Sequence, residues 1–138
     1  MTHSLLALLG FATWTLLLLA GIALLRCCYT LIGERSANGF AVSGEDVSPF
    51  SGRLCRAHAN CYENLPAFAA IIIVAALSGN AHITDPLALW ALAARITQSS
   101  IHLISTRNRA VIARFSMLMV QWVIQAYWIM QILSVLGS

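Results

Sequence analysis

The longest charge-free runs constrain this chain most. Leu5 to Leu25 contains no acidic or basic residue and hardly a polar one. About 20 mostly apolar residues are enough to cross the hydrocarbon core of a bilayer, so this run is long enough to span. Phe115 to Leu136 is a second such run, interrupted only by Gln121, Gln125 and Gln131 among larger polar groups. Two further segments, Leu54 to Leu77 and Pro86 to Ile104, are as long but mixed. The first of them is polar in its opening half, and the second carries Arg95, Gln98 and His102. The chain as a whole is 59% hydrophobic and 9% charged. A soluble domain carries roughly 25% charged residues, so these runs cannot be the core of a water-soluble fold. The expectation is an all-α integral membrane protein, one domain over 1–138, with spans near 4–28, 51–78, 86–105 and 111–136.

The basic residues give an orientation. All eight are arginine. Arg26, Arg35, Arg53 and Arg56 fall in or beside the connection between the first two spans, and Arg107, Arg109 and Arg114 beside the one between the last two. The connection "SGNAHITDP" and both termini hold none. Positively charged loops stay cytoplasmic, which predicts both termini on the far side, facing the periplasm, a lumen or the exterior. The net charge of +3 is no sign of nucleic-acid binding, because the arginines follow the membrane boundary and not one soluble face. The first run lacks a basic leader and a small-residue cleavage site, so it is expected to remain in the protein as a span.

Cys27, Cys28, Cys55 and Cys61 all lie toward the cytoplasmic half, where thiols stay reduced. Cys55, His58 and Cys61 recur along one helix, but three ligands on one straight helix cannot close a tetrahedral zinc site. No metal is expected.

The stretch "RAHANCYENLP" at 56–66 holds the informative polar groups. On a helix, Arg56, Asn60 and Glu63 fall within about 60° of one another. Pro66 follows and predicts a kink just beyond Glu63, since its ring displaces the Tyr62 carbonyl. In the third span, Arg95, Gln98 and His102 share an equally narrow stripe, which Arg109 would extend if the helix continued that far. Arg95 falls near mid-membrane, where a charge must face protein, water or a counter-charge. Glu63 is the one acidic residue in any expected span and is its natural partner. Polar stripes can serve only to join helices. These two have more donors than one glutamate can use, so an anionic ligand bound by arginine is the stronger reading. His102 can serve as a base or as a plain hydrogen-bonding group. Gln121, Gln125 and Gln131 read as interhelical hydrogen-bonding groups, and His58, on another face, as a packing residue.

Arg56, Asn60 and Glu63, followed by Asn64, Leu65 and Pro66, resemble the second-helix signature of the MAPEG family, the membrane-associated proteins of eicosanoid and glutathione metabolism, and "RAHAN…ENLP" is similar to its bacterial branch. The resemblance covers the whole chain. It implies a four-helix bundle assembled as a homotrimer, with glutathione bound between subunits near the cytoplasmic face. It implies that Arg56, Asn60, Glu63 and Arg95 bind glutathione, with Gln98 and His102 on the same wall where the synthases carry tyrosines. It also implies that Arg109, or Arg107 after a short slip in register, stabilises the thiolate. The implied function is a membrane-bound glutathione transferase that adds the thiol to lipophilic electrophiles or reduces lipid hydroperoxides. A non-catalytic lipid-binding or scaffold protein of the same fold is the alternative. The partners implied are membrane lipid, a lipophilic small molecule and further copies of the chain.

Overall fold

The computed structural model describes residues 2–138. Four helices follow in order: α1 His3–Leu31, α2 Pro49–Leu77, α3 Ala81–Ile104 and α4 Asn108–Leu136. No strand occurs among the described residues. Three of the helices, α1, α2 and α4, are long and apolar enough to cross a membrane by themselves. α3 falls short because its polar residues interrupt it, and it turns them inward: Thr84, Arg95, Gln98 and Ser99 are all buried. The protein is an integral membrane four-helix bundle.

Helix ends are set by local chemistry. Thr2 caps α1, its hydroxyl accepting from the Leu5 N–H at 3.3 Å. Ser48 caps α2 by accepting from the Ser51 N–H at 3.1 Å, with Pro49 in the first turn where no N–H is needed. α2 ends at Leu77, and Gly79 just beyond it, with φ 76°, lets the Asn80 N–H reach back 2.8 Å to the Ala75 carbonyl. That tight end leaves a very short connection. Ala81 to Asp85, which read as loop in the sequence, instead form the first turns of α3, and Pro86 lies inside the helix. α2 likewise runs through Pro66 without interruption, so the proline costs a hydrogen bond but does not divide the helix.

α3 packs against all three other helices, whereas α1 and α4 do not meet. Its packing face is built from Ala88, Ala91 and Ala94, small residues that let backbones approach. Gly10 of α1 does the same from the other side: a Cβ there would stand 2.7 Å from a Leu92 methyl. The core is a row of aromatics. Phe11 of α1 meets Phe68 of α2 edge-on with centroids 5.3 Å apart, and Phe68 meets Trp128 of α4 at 5.9 Å. At the end holding the chain termini, Ser4 joins α1 to α3. Its N–H donates to Asp85 at 2.9 Å and its hydroxyl lies 2.6 Å from both Asp85 and Thr84 oxygens. The outer surface is apolar, with Leu16, Leu24, Trp90 and Val123 well exposed. A surface so apolar suits lipid and would aggregate in water.

Residues 32–48 close over the opposite end. Arg35 donates to the Gly39 carbonyl at 3.0 Å and to Asp46 at 2.7 Å. Gly44, with φ 69°, sits so close to α2 that a Cβ would meet Ser51 and Cys55 atoms within 3 Å.

Two outcomes are expected from this packing. Phe68→Ala removes the central ring of the aromatic row and lowers stability by about 3–5 kcal/mol, read by thermal unfolding in detergent. The Ala41 N–H, and then Arg35, hold the Asp46 carboxylate below its usual range. A lowered carboxylate contributes stability above its unfolded value and loses it as pH falls through the folded one. Cleavage of the 32–48 segment by an acid-active protease should therefore rise as pH drops below the ordinary aspartate range. An Asp46→Asn protein should show the faster cleavage at every pH.

Candidate functional site

A cavity of about 400 Å³ opens between α2, α3 and α4 at the arginine-rich end. Arg56, Asn60 and Glu63 face it from α2, on the single stripe their spacing predicted. Gln98 and His102 face it from α3, and Val111, Arg114, Phe115 and Leu118 from α4. The α2 wall thus carries both signs of charge, and the α4 wall is apolar apart from Arg114.

Each polar group is held in a different way. Arg56 pairs with the Glu45 carboxylate from the connecting segment, and both side chains are well exposed. An exposed pair of this kind is worth roughly 1 kcal/mol or less, so Arg56 stays available to a better partner. Asn60 is fixed by Asn64, whose amide donates to the Asn60 backbone carbonyl at 2.8 Å and to its side-chain oxygen at 3.2 Å. Glu63 is exposed to the cavity and makes no ion pair among the described residues. Gln98 is buried and accepts from Gln121 Nε2 at 3.0 Å. His102 Nδ1 lies 2.6 Å from Arg114 Nη1.

Arg95 differs from the sequence expectation. It does not pair with Glu63. Its guanidinium is fully buried behind the cavity wall, where Nη1 donates to the Asn60 carbonyl at 3.4 Å and Cζ stands 5.2 Å from the Phe11 ring centre. Its Nε and Nη2 have no hydrogen-bond partner. The two side chains sit on α2 and α3 faces that diverge: Glu63 opens outward to the cavity while Arg95 points to the bundle axis. Next to Arg95, Cys61 Sγ lies 3.2 Å from Ser99 Oγ, and Ser99 donates to the Arg95 carbonyl at 2.9 Å.

The third-helix stripe also stops earlier than its spacing suggested. α3 ends at Ile104, and the extended Ser105 turns the chain before α4 starts at Asn108. Arg109 therefore belongs to the first turn of α4, and neither it nor Arg107 lines the cavity. Arg114 does. Sequence reading missed it because Arg114 stands just ahead of the apolar run Phe115 to Leu136 and counts there only toward orientation. Its 12-residue separation from His102 closes through the α3–α4 turn, which no single-helix periodicity displays.

The remaining arginines have structural work. Arg26 donates to the Ala41 carbonyl at 3.2 Å and stacks 5.6 Å from Phe40, and Arg53 Nε donates to the Leu103 carbonyl at 2.8 Å at the end of α3. His58 packs on Tyr62 with centroids 5.2 Å apart. Of the three glutamines of α4, Gln121 alone is buried and bridges to α3, while Gln131 is exposed. No cluster of three or more His, Cys, Asp or Glu side chains suited to a metal occurs among the described residues.

A four-helix membrane bundle with an arginine–asparagine–glutamate stripe on its second helix defines a class, and comparison of the chain with family models places it. The model of the MAPEG family matches residues 4–134, and the chain belongs to that family. No curated protein and no solved structure matches it.

Gln121 is the test of how the cavity floor is held. Gln121→Leu strands the buried Gln98 amide, and should lower the thermal stability of the detergent-solubilised protein by about 1–2 kcal/mol. Gln125→Leu, on a partly exposed face, should leave stability within about 0.5 kcal/mol.

Proposed function

We propose that the chain is a glutathione-dependent transferase of the membrane, joining the peptide's thiol to a lipophilic electrophile. The observation that carries this reading is the cavity itself. Arg56 and Arg114 offer cations, Glu63 offers an anion, and Asn60 lies between them. Glutathione is a peptide with two carboxylates, one amine and one thiol, so it needs that mixture. The apolar wall of Val111, Phe115 and Leu118 gives a lipid-soluble partner a route from the bilayer.

In this reading the carboxylates bind Arg56 and displace Glu45, the amine binds Glu63, and Asn60 and Gln98 orient the peptide. Arg95 supports the site from behind through the Asn60 carbonyl. An arginine beside the sulfur lowers the thiol's affinity for its proton from an ordinary value near 8.5. Arg109, or Arg107, is proposed for that role from a neighbouring subunit, since both are exposed on the single chain. The thiolate attacks the electrophilic carbon, the C–S bond forms, and the leaving group departs with the electron pair of its bond. With a lipid hydroperoxide as acceptor, two glutathione molecules would be oxidised to the disulfide while the O–O bond is reduced to an alcohol and water. A homotrimer, the bacterial inner membrane, and termini on the periplasmic side with the arginine-rich connections cytoplasmic complete the proposal. The second reading, a lipid-binding scaffold without turnover, is favoured by Gln98 and His102 standing where the synthases carry tyrosines.

The deciding experiment uses purified protein in detergent with glutathione and an aryl halide. Conjugate formation, with a glutathione-dependent rise in thermal midpoint, is expected. Arg56→Ala and Glu63→Ala should raise KM for glutathione. Arg109→Gln should cut kcat by about tenfold for each pH unit that thiolate formation shifts upward, and parallel Arg107→Gln and Arg114→Gln proteins show which arginine carries that effect. Absence of both conjugation and the thermal shift would leave the scaffold reading standing.

A further inference from the structure

Two cavity-lining side chains of α3 are gripped from α4 in a way that decides which hydrogen bonds they have left to offer. Gln121 Nε2 donates to Gln98 Oε1 at 3.0 Å. That bond fixes the orientation of the Gln98 amide and leaves its NH₂ group free. Arg114 Nη1 lies 2.6 Å from His102 Nδ1. A guanidinium has five donors and no acceptor, so Nδ1 must accept and carries no proton. The proton of His102 is then on Nε2, and Nε2–H is the ring's one remaining polar group. Protonating Nδ1 would set an N–H against an N–H and two cations within hydrogen-bond distance. The charged groups around the ring oppose that further: Arg114 from α4 and Arg56 from α2 share its cavity, and Arg95 lies two turns back on α3, against the single carboxylate of Glu63.

We infer that Gln98 and His102 form a donor-only wall, locked by Gln121 and Arg114, that selects a hydrogen-bond acceptor on the ligand, a carboxylate or a thiolate. His102 is then a specificity-determining donor and not a general base, because its only unprotonated nitrogen is filled by Arg114. Arg114 and Gln121 are positioning residues that act through the two side chains they hold. The ligand class rests on the glutathione reading above; the locked ring does not.

The test has two arms. In the first, the full-length protein with ¹⁵N-labelled histidine is purified in detergent without ligand, and the His102 ring signals are identified by their loss in His102→Gln. A neutral ring protonated on Nε2, unchanged from mildly acidic to neutral pH, is expected. A ring protonated on Nδ1, or one that charges in the ordinary histidine range, would overturn the inference. Arg114→Met should free Nδ1, so that the Nδ1-protonated tautomer appears beside the Nε2 one, and Arg114→Lys should restore the lock. In the second arm, glutathione and S-methylglutathione are titrated into wild-type, His102→Phe and His102→Gln proteins. Loss of the donor in His102→Phe should weaken glutathione by roughly tenfold, and His102→Gln should stay near wild type. A loss confined to glutathione identifies the thiolate as the acceptor; an equal loss with both identifies a carboxylate. Equal affinity of wild type and His102→Phe for both peptides would overturn the donor role. If neither peptide raises the thermal midpoint of wild type, the glutathione reading falls while the ring measurement still decides the lock.

Discussion

The structure depends on how one buried cation is accommodated. Arg95 sits fully enclosed in the middle of α3, in a protein whose exterior is lipid. A charge there is tolerated only when protein surrounds it. The surroundings supply the Asn60 carbonyl at 3.4 Å and the face of Phe11 at 5.2 Å. The carbonyl and the ring belong to α2 and α1, so both helices contact the Arg95 guanidinium, while its Nε and Nη2 stay without partners. Phe11 in turn meets Phe68, and Phe68 meets Trp128, which brings in α4. The aromatic row thus backs the one ring, Phe11, whose face meets the guanidinium.

That arrangement makes α3, the one helix of the four without an apolar stretch long enough to span by itself, also the most central one. Its alanines let the neighbours close in, and its polar residues find partners on each of them: Thr84 on α1, Ser99 on α2, Gln98 on α4. α1 and α4 need not touch, because α3 stands between them. The cavity opens where this packing runs out, at the end where α3 stops at Ile104 and α4 begins a few residues later. Its two halves are consequently of different character. α2 contributes a stripe of charges whose exposure is already set by helical periodicity. α4 contributes positioning groups, Gln121 and Arg114, that reach α3 only because the turn at 105–107 folds the chain back.

The family relation adds weight to the α2 stripe and says less about the α3 wall. Within the chain, Arg56 and Glu45 form a contact that a ligand carboxylate can replace, since exposed ion pairs contribute little. Glu63 makes no ion pair among the described residues and faces open space. The site is therefore preset on its α2 side and shaped on its α3 side by neutral hydrogen bonds, a division that follows from burial: α2 borders the aqueous end, whereas Gln98 lies inside the bundle.

Hydropathy and period were enough to read four membrane helices, and a 3.6-residue repeat was enough to put Arg56, Asn60 and Glu63 on one face, because both depend only on residues near one another in sequence. The same reasoning failed wherever a partner came from another helix. Charge matching assigned Glu63 to Arg95, but the two faces diverge and a backbone carbonyl took the guanidinium. Periodicity carried the α3 stripe on to Arg109, but the helix ended at Ile104. Arg114 looked like a boundary charge until the α3–α4 turn laid it against His102. By itself the sequence determined that the chain must live in a membrane and which side chains of α2 share one face, since local spacing and transfer free energy decide those. Only the tertiary structure decided what holds Arg95, which arginine enters the cavity and which nitrogen of His102 keeps its proton, since each depends on a contact made across helices.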